Sequence, residues 1–121
     1  MLELTSLDYP PKFMENVVAR MIVVYRKPED AEAFERHYFE IHVPLAKKLP
    51  GLRKYEVSRG PITCPSGATD TFMVATLHFD DMAAIRNAFA TDIGQLCAED
   101  RRKFAPDSST FDMYLFDDVE V

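Results

Sequence analysis

Three segments of the chain alternate like β-strands and yet carry apolar side chains on both faces. They cover residues 16–26, 71–79 and 109–121, and the first of them reads NVVARMIVVYR. Successive side chains of a strand point to opposite faces of the sheet, so a strand that is apolar on both faces is typical of a sheet covered on both sides. This need for two covers restricts the fold more than any other feature of the sequence.

The segment 27–49 has helical periodicity. Pro28, followed by two acidic residues, favours a helix start, and Pro50 with Gly51 favours an end. Its apolar positions recur at helical spacing. The predicted buried face consists of Ala31, Phe34, Tyr38, Ile41, Leu45 and Leu49.

Residues 80–105 carry the second helical pattern, which we expect to start at Asp80 and to be divided near Gly94. The side chains of residues 52–60 alternate in the way that is typical of an edge strand with one solvent-exposed face. The resulting order is β-α-β-β-α-β. It predicts an α+β domain of the ferredoxin-like type, with a four-stranded antiparallel sheet and two helices on one face.

Two helices cover only one face of such a sheet. The other face still carries apolar residues from 17–25, 71–79 and 111–118. A second copy of the sheet is the economical cover, so we predict a homodimer formed through the open sheet face. The domain should span residues 17–121, because DYPPK within residues 1–16 favours an extended N-terminal arm.

The composition restricts which kinds of partner and which cellular location we expect for the protein. The net charge is -6 and no stripe of Lys and Arg is present, which argues against binding to nucleic acid or to an anionic membrane. No apolar run is long enough to span a bilayer, and the first residues do not have the pattern of a signal peptide. Cys64 and Cys97 fit no metal-ligand spacing. They predict reduced thiols in a cytoplasmic protein, with a single disulfide as the alternative.

The stretch FERHYFEIHVPLAKKLPGLRKYEVSRG, residues 34–60, resembles the signature of the EthD family in the dimeric α+β barrel superfamily. Residues 75–89 and 113–117 are similar to the family's third strand with its second helix and to its last strand. The resemblance implies a dimer with two sheets packed back to back and a cavity between helices and sheet in each subunit. Family members are associated with ether breakdown and with polyketide or pigment pathways, so the resemblance does not select one reaction.

His42 lies at one border of the first helix's apolar face, one turn after Tyr38. Pro44 cannot donate to the carbonyl of Glu40 and disfavours helical backbone at Val43, so we expect a kink that opens a pocket beside His42 and Tyr38. From the residues alone, a buried His42 bonded to a freed carbonyl competes with this interpretation. The family's His-x-Pro-Leu histidine maps onto His42. That match favours His42 as an acid or base titrating near neutral pH, and Tyr38 as a donor to an oxyanion.

The sequence contains two further histidines and several candidate substrate-binding residues. His78 belongs to a predicted central strand and points either into the pocket or into the dimer interface. His37, at the opposite border of the helix face, is expected to face solvent. The spacing of His37 and His42 does not suit a metal, and the chain lacks a Gly-rich phosphate loop, so we predict neither metal nor cofactor. The candidate substrate-binding residues are Phe34, Tyr25, Tyr55 and His78.

Two functions fit these features. The first is an enzyme, either an isomerase, a cyclase or a cofactor-free oxygenase, that acts on a small apolar oxygenated molecule. The second is a binding or stress-associated module that holds a hydrophobic ligand without turnover. An enzyme requires the imidazole and the phenol to converge on one cavity, whereas a carrier requires only an apolar lining.

Overall fold

The computed structural model describes residues 18–121, so the predicted arm, residues 1–16, and the first residue of the predicted domain lie outside the described residues. Within them the predicted order β-α-β-β-α-β is present, and each predicted helical segment is divided. The elements are β1 (Val18–Arg26), α1 (Ala31–His37), a π-helical turn (Tyr38–His42), α2 (Val43–Ala46), β2 (Lys54–Val57), β3 (Thr71–Phe79), α3 (Met82–Phe89), α4 (Asp92–Phe104) and β4 (Phe111–Asp118).

The four strands form one antiparallel sheet in the order β2-β3-β1-β4. Met21 of the central strand β1 lies opposite Leu77 of β3 on one side and Leu115 of β4 on the other. Tyr55 of the edge strand β2 also lies opposite Leu77. This register places the four side chains in one row, and the sheet confirms the predicted ferredoxin-like fold.

The helices cover one face of the sheet. Ala19, Met21, Val23 and Tyr25 of β1 point towards them and are no more than 5% exposed. The alternate residues form the opposite surface, called here the open sheet face, where Tyr114 of β4 is 54% exposed. The apolar members of that face are Val18, Ile22, Val24, Val74, Tyr114 and Phe116.

The helix starts follow local capping chemistry. Asp30 accepts a hydrogen bond from the backbone N–H of Ala33 at 3.0 Å and begins α1. Asp81 caps α3 in the same way at 2.7 Å, so the cap lies one residue after the predicted Asp80.

The prediction that Gly94 divides the second helical segment is wrong, because Gly94 lies inside α4. The division lies earlier, where Thr91 caps α4 and accepts a hydrogen bond from the Gly94 N–H at 3.2 Å. A side chain on Gly94 would come within 2.4 Å of the Phe89 Cα atom. The glycine is therefore needed for the close approach of α3 to the first turn of α4.

Candidate active site

A cavity of about 370 Å³ lies between the helices and the sheet. Met21, Val23 and Leu77 contribute its sheet side, and Ile85 and Phe89 of α3 contribute part of its helical side. Most of the lining is therefore apolar, as is usual for a site that takes a small organic molecule. The side chains with polar ends that line it are Tyr25, Tyr38, His42, Tyr55, Arg86 and Arg101.

The backbone turns more widely between Tyr38 and His42 than an α-helix does. The N–H of Val43 donates to the carbonyl of Tyr38, five residues earlier. Pro44 follows and has no N–H to offer the carbonyl of Glu40, and in a regular α-helix its ring would clash with that carbonyl. A π-helical turn relieves this conflict. The expected disturbance at Pro44 takes the form of this π turn, and the prediction of non-helical backbone at Val43 is wrong, because its φ is -59° and its ψ is -49°.

The π turn shifts the buried face of the helix by one residue. Helical spacing predicted Ile41 and Leu45 on the buried face, but Ile41 is 52% exposed. His42 and Ala46 are buried instead, at 7% and 2% exposure. A wider turn holds one more residue, so the inward positions move along by one up to the end of α2, and Leu49, beyond that end, is buried as predicted. His42 therefore lies within the buried face beside Tyr38, and no longer at its border.

Asp100 of α4 orients His42. The Nδ1 atom of His42 lies 2.9 Å from Oδ2 of Asp100, and the two side chains are 9% and 5% exposed. A carboxylate only accepts, so Nδ1 carries the hydrogen and donates it, which leaves the lone pair of a neutral ring on Nε2. Within residues 18–121, Nε2 has no hydrogen-bond partner.

Burial lowers the pKa of His42 below its ordinary value, although the hydrogen bond to Asp100 and its charge act in the opposite direction. The direction of the shift is therefore downward, and titration of His42 near neutral pH stays a prediction. The ring is neutral at pH 7, the form in which an imidazole acts as a base.

Asp100 also binds His37. The Nε2 atom of His37 lies 2.8 Å from Oδ1 of the carboxylate, and the His37 side chain is 26% exposed. The prediction that His37 faces solvent is therefore corrected, because the ring is half-buried and bonded. Burial raises the pKa of Asp100, but the hydrogen bonds from His42 and His37 outweigh it and hold that pKa below the usual range. Asp100 is thus a carboxylate shared by two imidazoles.

Three tyrosines stand beside this pair of histidines. The hydroxyl oxygens of Tyr38 and Tyr55 are 2.6 Å apart. One hydroxyl donates to the other, so the accepting residue keeps its own O–H for a further partner. Burial raises the pKa of Tyr55 to about 12, and it raises the pKa values of Tyr25 and Tyr38 well above the ordinary range. All three phenols are protonated at neutral pH and can donate hydrogen bonds.

The structure brings together four of the six predicted site residues, because His42, Tyr38, Tyr25 and Tyr55 all line the cavity. Phe34 does not line it. Its ring packs edge-on against Tyr25 and Phe104, with centroids 5.4 Å and 5.2 Å away. We therefore correct its assignment to the aromatic core behind the cavity.

His78 is the second correction, because it lies on the open sheet face. Leu77 and Phe79 point inward at 5% and 1% exposure, so the alternation of β3 directs His78 the other way. There its ring nitrogens lie 2.8 Å from Oε1 of Glu56 and 3.0 Å from Nη1 of Arg20. The alternative that the sequence left open is decided against the pocket.

Sequence reasoning missed Asp100 and the two arginines. Asp100 lies between Cys97 and Phe104 on α4, three and four residues away, in a position where helical spacing predicts an apolar side chain. A carboxylate at a buried helical position requires a partner. This interruption of the apolar face is the signal by which Asp100 was detectable.

Few groups near the cavity suit a metal. Among residues 18–121, no three His, Cys, Asp or Glu side chains are grouped so as to hold a metal ion. Cys64 and Cys97 are free thiols, and burial raises the pKa of Cys97 to about 11. Cys97 thus lines the cavity as an apolar group.

In the part of the chain that the structure describes, no helix has the length and apolarity to cross a membrane.

Comparison with known proteins gives consistent matches. The family model described as the EthD domain matches residues 26–108. An uncharacterised 11.0 kDa protein of Rhodococcus erythropolis, from the thcB-thcC intergenic region, is 33% identical over 105 residues, which is 84% of this chain and 95% of that protein.

Solved structures extend the similarity to the fold. An EthD family protein from Bacillus halodurans is 32% identical, with a TM-score of 0.74 over 82% of this chain and 96% of its own. A mutant of SnoaB, a cofactor-independent oxygenase from Streptomyces nogalater, shares the fold at 22% identity and a TM-score of 0.56, over 84% and 91% of the two chains. Other solved structures with this fold are described as dimeric.

Proposed function

This chain belongs to the EthD family, and from that premise we propose that its cavity is the active site of a cofactor-independent enzyme that transfers a proton on an apolar, oxygenated small molecule. One observation carries the proposal. His42, in the cavity wall, is held through Nδ1 by a buried carboxylate 2.9 Å away, which leaves Nε2 as its basic nitrogen. A histidine base oriented in this way is a recurrent device of acid–base catalysis.

The proposed step is the removal of a proton from an acidic C–H or O–H group of the substrate. The proton moves to Nε2 of His42, and the electron pair stays on the substrate as an enolate or phenolate. Asp100 stabilises the resulting imidazolium, and an O–H of the Tyr38 and Tyr55 pair donates to the new oxyanion. Burial of both groups strengthens these interactions relative to water.

Isomerisation, cyclisation and cofactor-free oxygenation can all begin with this step. An enolate that regains its proton at another carbon has isomerised, and one that attacks a carbonyl within the same molecule has cyclised. The SnoaB neighbour is described as a cofactor-independent oxygenase, which supports the proposal that no bound cofactor is required here.

Deuterium exchange tests the proton transfer without knowledge of the natural substrate. We would incubate 2-tetralone, a two-ring enolisable ketone, with the protein in D₂O and follow loss of its α-proton signals by NMR. The wild-type protein should accelerate exchange, and His42→Ala should lose roughly 10²–10⁴-fold of that acceleration. Glu40→Gln, an exposed change in the same turn, is the matched control and should exchange at the wild-type rate.

Equal exchange by the wild-type protein and His42→Ala, with circular dichroism showing both folded, would refute the proposal. A second candidate function is ligand binding without turnover, which is favoured by the mostly apolar lining of the cavity. Binding of 2-tetralone with no acceleration of exchange would support that function instead.

The assembly is also a proposal. We propose that two copies pack through their open sheet faces, because Tyr114 and Phe116 there are 54% and 36% exposed. Charged side chains frame this apolar area, since Arg20 pairs with Asp118 and Arg26 pairs with Asp112. Light scattering at micromolar concentration should give the mass of a dimer, and a monomer at that concentration would contradict the proposal.

A further inference from the structure

The charge of the cavity is opposite to that of the chain. The chain has a net charge of -6, yet the described residues that line the cavity include Arg86 and Arg101 and neither Asp nor Glu. Asp100, the nearest carboxylate in sequence to Arg101, is committed to the two histidines. A cavity with cations and no acid in its wall is matched to a ligand that carries negative charge.

Arg101 is fixed in place by groups that do not neutralise it. Its Nη1 atom donates to the carbonyl of Ala105 at 2.7 Å, and its guanidinium lies 4.5 Å from the centre of the Phe111 ring. The carbonyl uses one N–H and the ring one face of the group, so further N–H donors remain. Within residues 18–121, neither Arg101 nor Arg86 forms an ion pair, in contrast to Arg20 and Arg26 of the sheet.

The charge of Arg101 reaches the other polar groups of the site. Burial is the main cause of the low pKa of His42, and the Arg101 charge lowers that pKa further. The same charge acts on Tyr25 against the rise in pKa that burial produces there. Arg101 therefore shares one local environment with the base and with a phenol.

We propose that the ligand of the cavity is an aromatic or polycyclic acid, with an apolar body and a carboxylate or acidic phenolate that Arg101 binds, assisted by Arg86 at the more exposed end. Guanidinium binds a carboxylate through two parallel hydrogen bonds, and this fork favours an acid over a neutral amide of the same shape. The inference rests on the proposed function for the position of the reacting proton, but anion recognition itself needs no proton transfer.

A matched pair of probes tests it. 1-Naphthoate and 1-naphthamide have the same ring system and differ in the charge of one group, and their affinities would be measured by calorimetry. The wild-type protein should bind the acid at least about tenfold more tightly than the amide. That preference should shrink as salt is added, whereas affinity for the amide should not change.

Methyl signals of ¹³C-labelled methionine locate the binding. Met21 and Met113 line the cavity, so their methyl groups should shift with either probe, whereas buried Met73, which does not line it, should shift less.

Variants separate charge from shape. Arg101→Met should abolish the preference for the acid and leave amide affinity within about twofold, and Arg86→Met should reduce the preference in part. Arg101→Lys keeps the charge and should retain part of the preference even if the methionine variant folds poorly. Arg102→Met is the control, because Arg102 is exposed on the same helix and does not line the cavity.

Equal affinity of the wild-type protein for the two probes would overturn the inference, and so would failure of both to bind at millimolar concentration. If a folded Arg101→Met variant bound neither probe, Arg101 would have a packing role only, and the inference would be overturned. The outcome is independent of the exchange assay with 2-tetralone. Preference for the acid without proton exchange would support the anion site and refute the proposed function. Proton exchange without preference for the acid would support the proposed function and refute the anion site.

Discussion

Replacement of Asp100 by asparagine perturbs one shared group and leaves its size unchanged. The carboxylate accepts from His42 at 2.9 Å and from His37 at 2.8 Å, and it is 5% exposed. The amide has one accepting oxygen, which can serve one imidazole, while its NH₂ group faces the other and demands a different tautomer there. The variant therefore loses the charge from both bonds and the geometry of at least one.

The cost follows from those two bonds. A hydrogen bond to a charged group contributes roughly 1.5–3 kcal/mol, and a neutral one about half of that. We expect the free energy of unfolding at pH 7 to fall by about 1–3 kcal/mol, measured by urea denaturation. Glu99→Gln, an exposed acid beside Asp100 on the same helix, should change it by less than about 0.5 kcal/mol.

The same substitution moves the pKa of His42 in a direction that the structure specifies. Burial lowers this pKa, and the hydrogen bond and charge of Asp100 partly oppose it. Without the carboxylate only the lowering causes remain, so the pKa in Asp100→Asn should fall further. A titration of the His42 ring nitrogens by ¹⁵N NMR gives the value for each protein. A higher pKa in the variant would refute the account of the site.

The pH dependence of stability gives a second measurement on the same pair. Both His42 and Asp100 have pKa values lowered by folding, so each contributes stability that is present above its unfolded pKa and lost as the pH falls through its folded pKa. The loss due to His42 begins below about 6.5 and that due to Asp100 below about 3.8. In Asp100→Asn the second loss should be absent. If wild type and variant lose stability in parallel below pH 4, the carboxylate is not the group that folding stabilises.

Three further changes have expected outcomes. Gly94→Ala should lower the free energy of unfolding by roughly 1–3 kcal/mol in urea denaturation despite its better helix propensity, because its Cβ would meet the Phe89 backbone at 2.4 Å; an unchanged or higher stability would contradict this. Pro44→Ala should restore an α-helical bond to the carbonyl of Glu40 and weaken the contact of His42 with the cavity, and NMR hydrogen-bond couplings that still show the π turn would count against Pro44 as its cause. Tyr55→Phe should cost about 1 kcal/mol in thermal unfolding by removing the partner of a buried hydroxyl 2.6 Å away, and no loss of stability would mean that water replaces it.

The sequence by itself determined the elements of the fold. Alternation identified β1, β3 and β4, and their apolar residues on both faces predict a second cover in addition to the helices. The EthD-like stretch identified His42 and Tyr38 as site candidates, and both line the cavity. These features are local, because side-chain period and short motifs depend only on neighbours along the chain.

The tertiary structure decided which groups the site contains. The π turn exchanges Ile41 for His42 on the buried face, a shift that ideal helical spacing cannot predict because one wider turn changes the phase of the residues that follow it in the helix. The partner of His42 is Asp100, 58 residues away, and only the packing of α4 against the first helix brings them within 2.9 Å. His78 is excluded for a similar reason, because the register of β3 decides its face. Pairing across the chain depends on how elements pack, and the spacing of residues within one element does not contain that information.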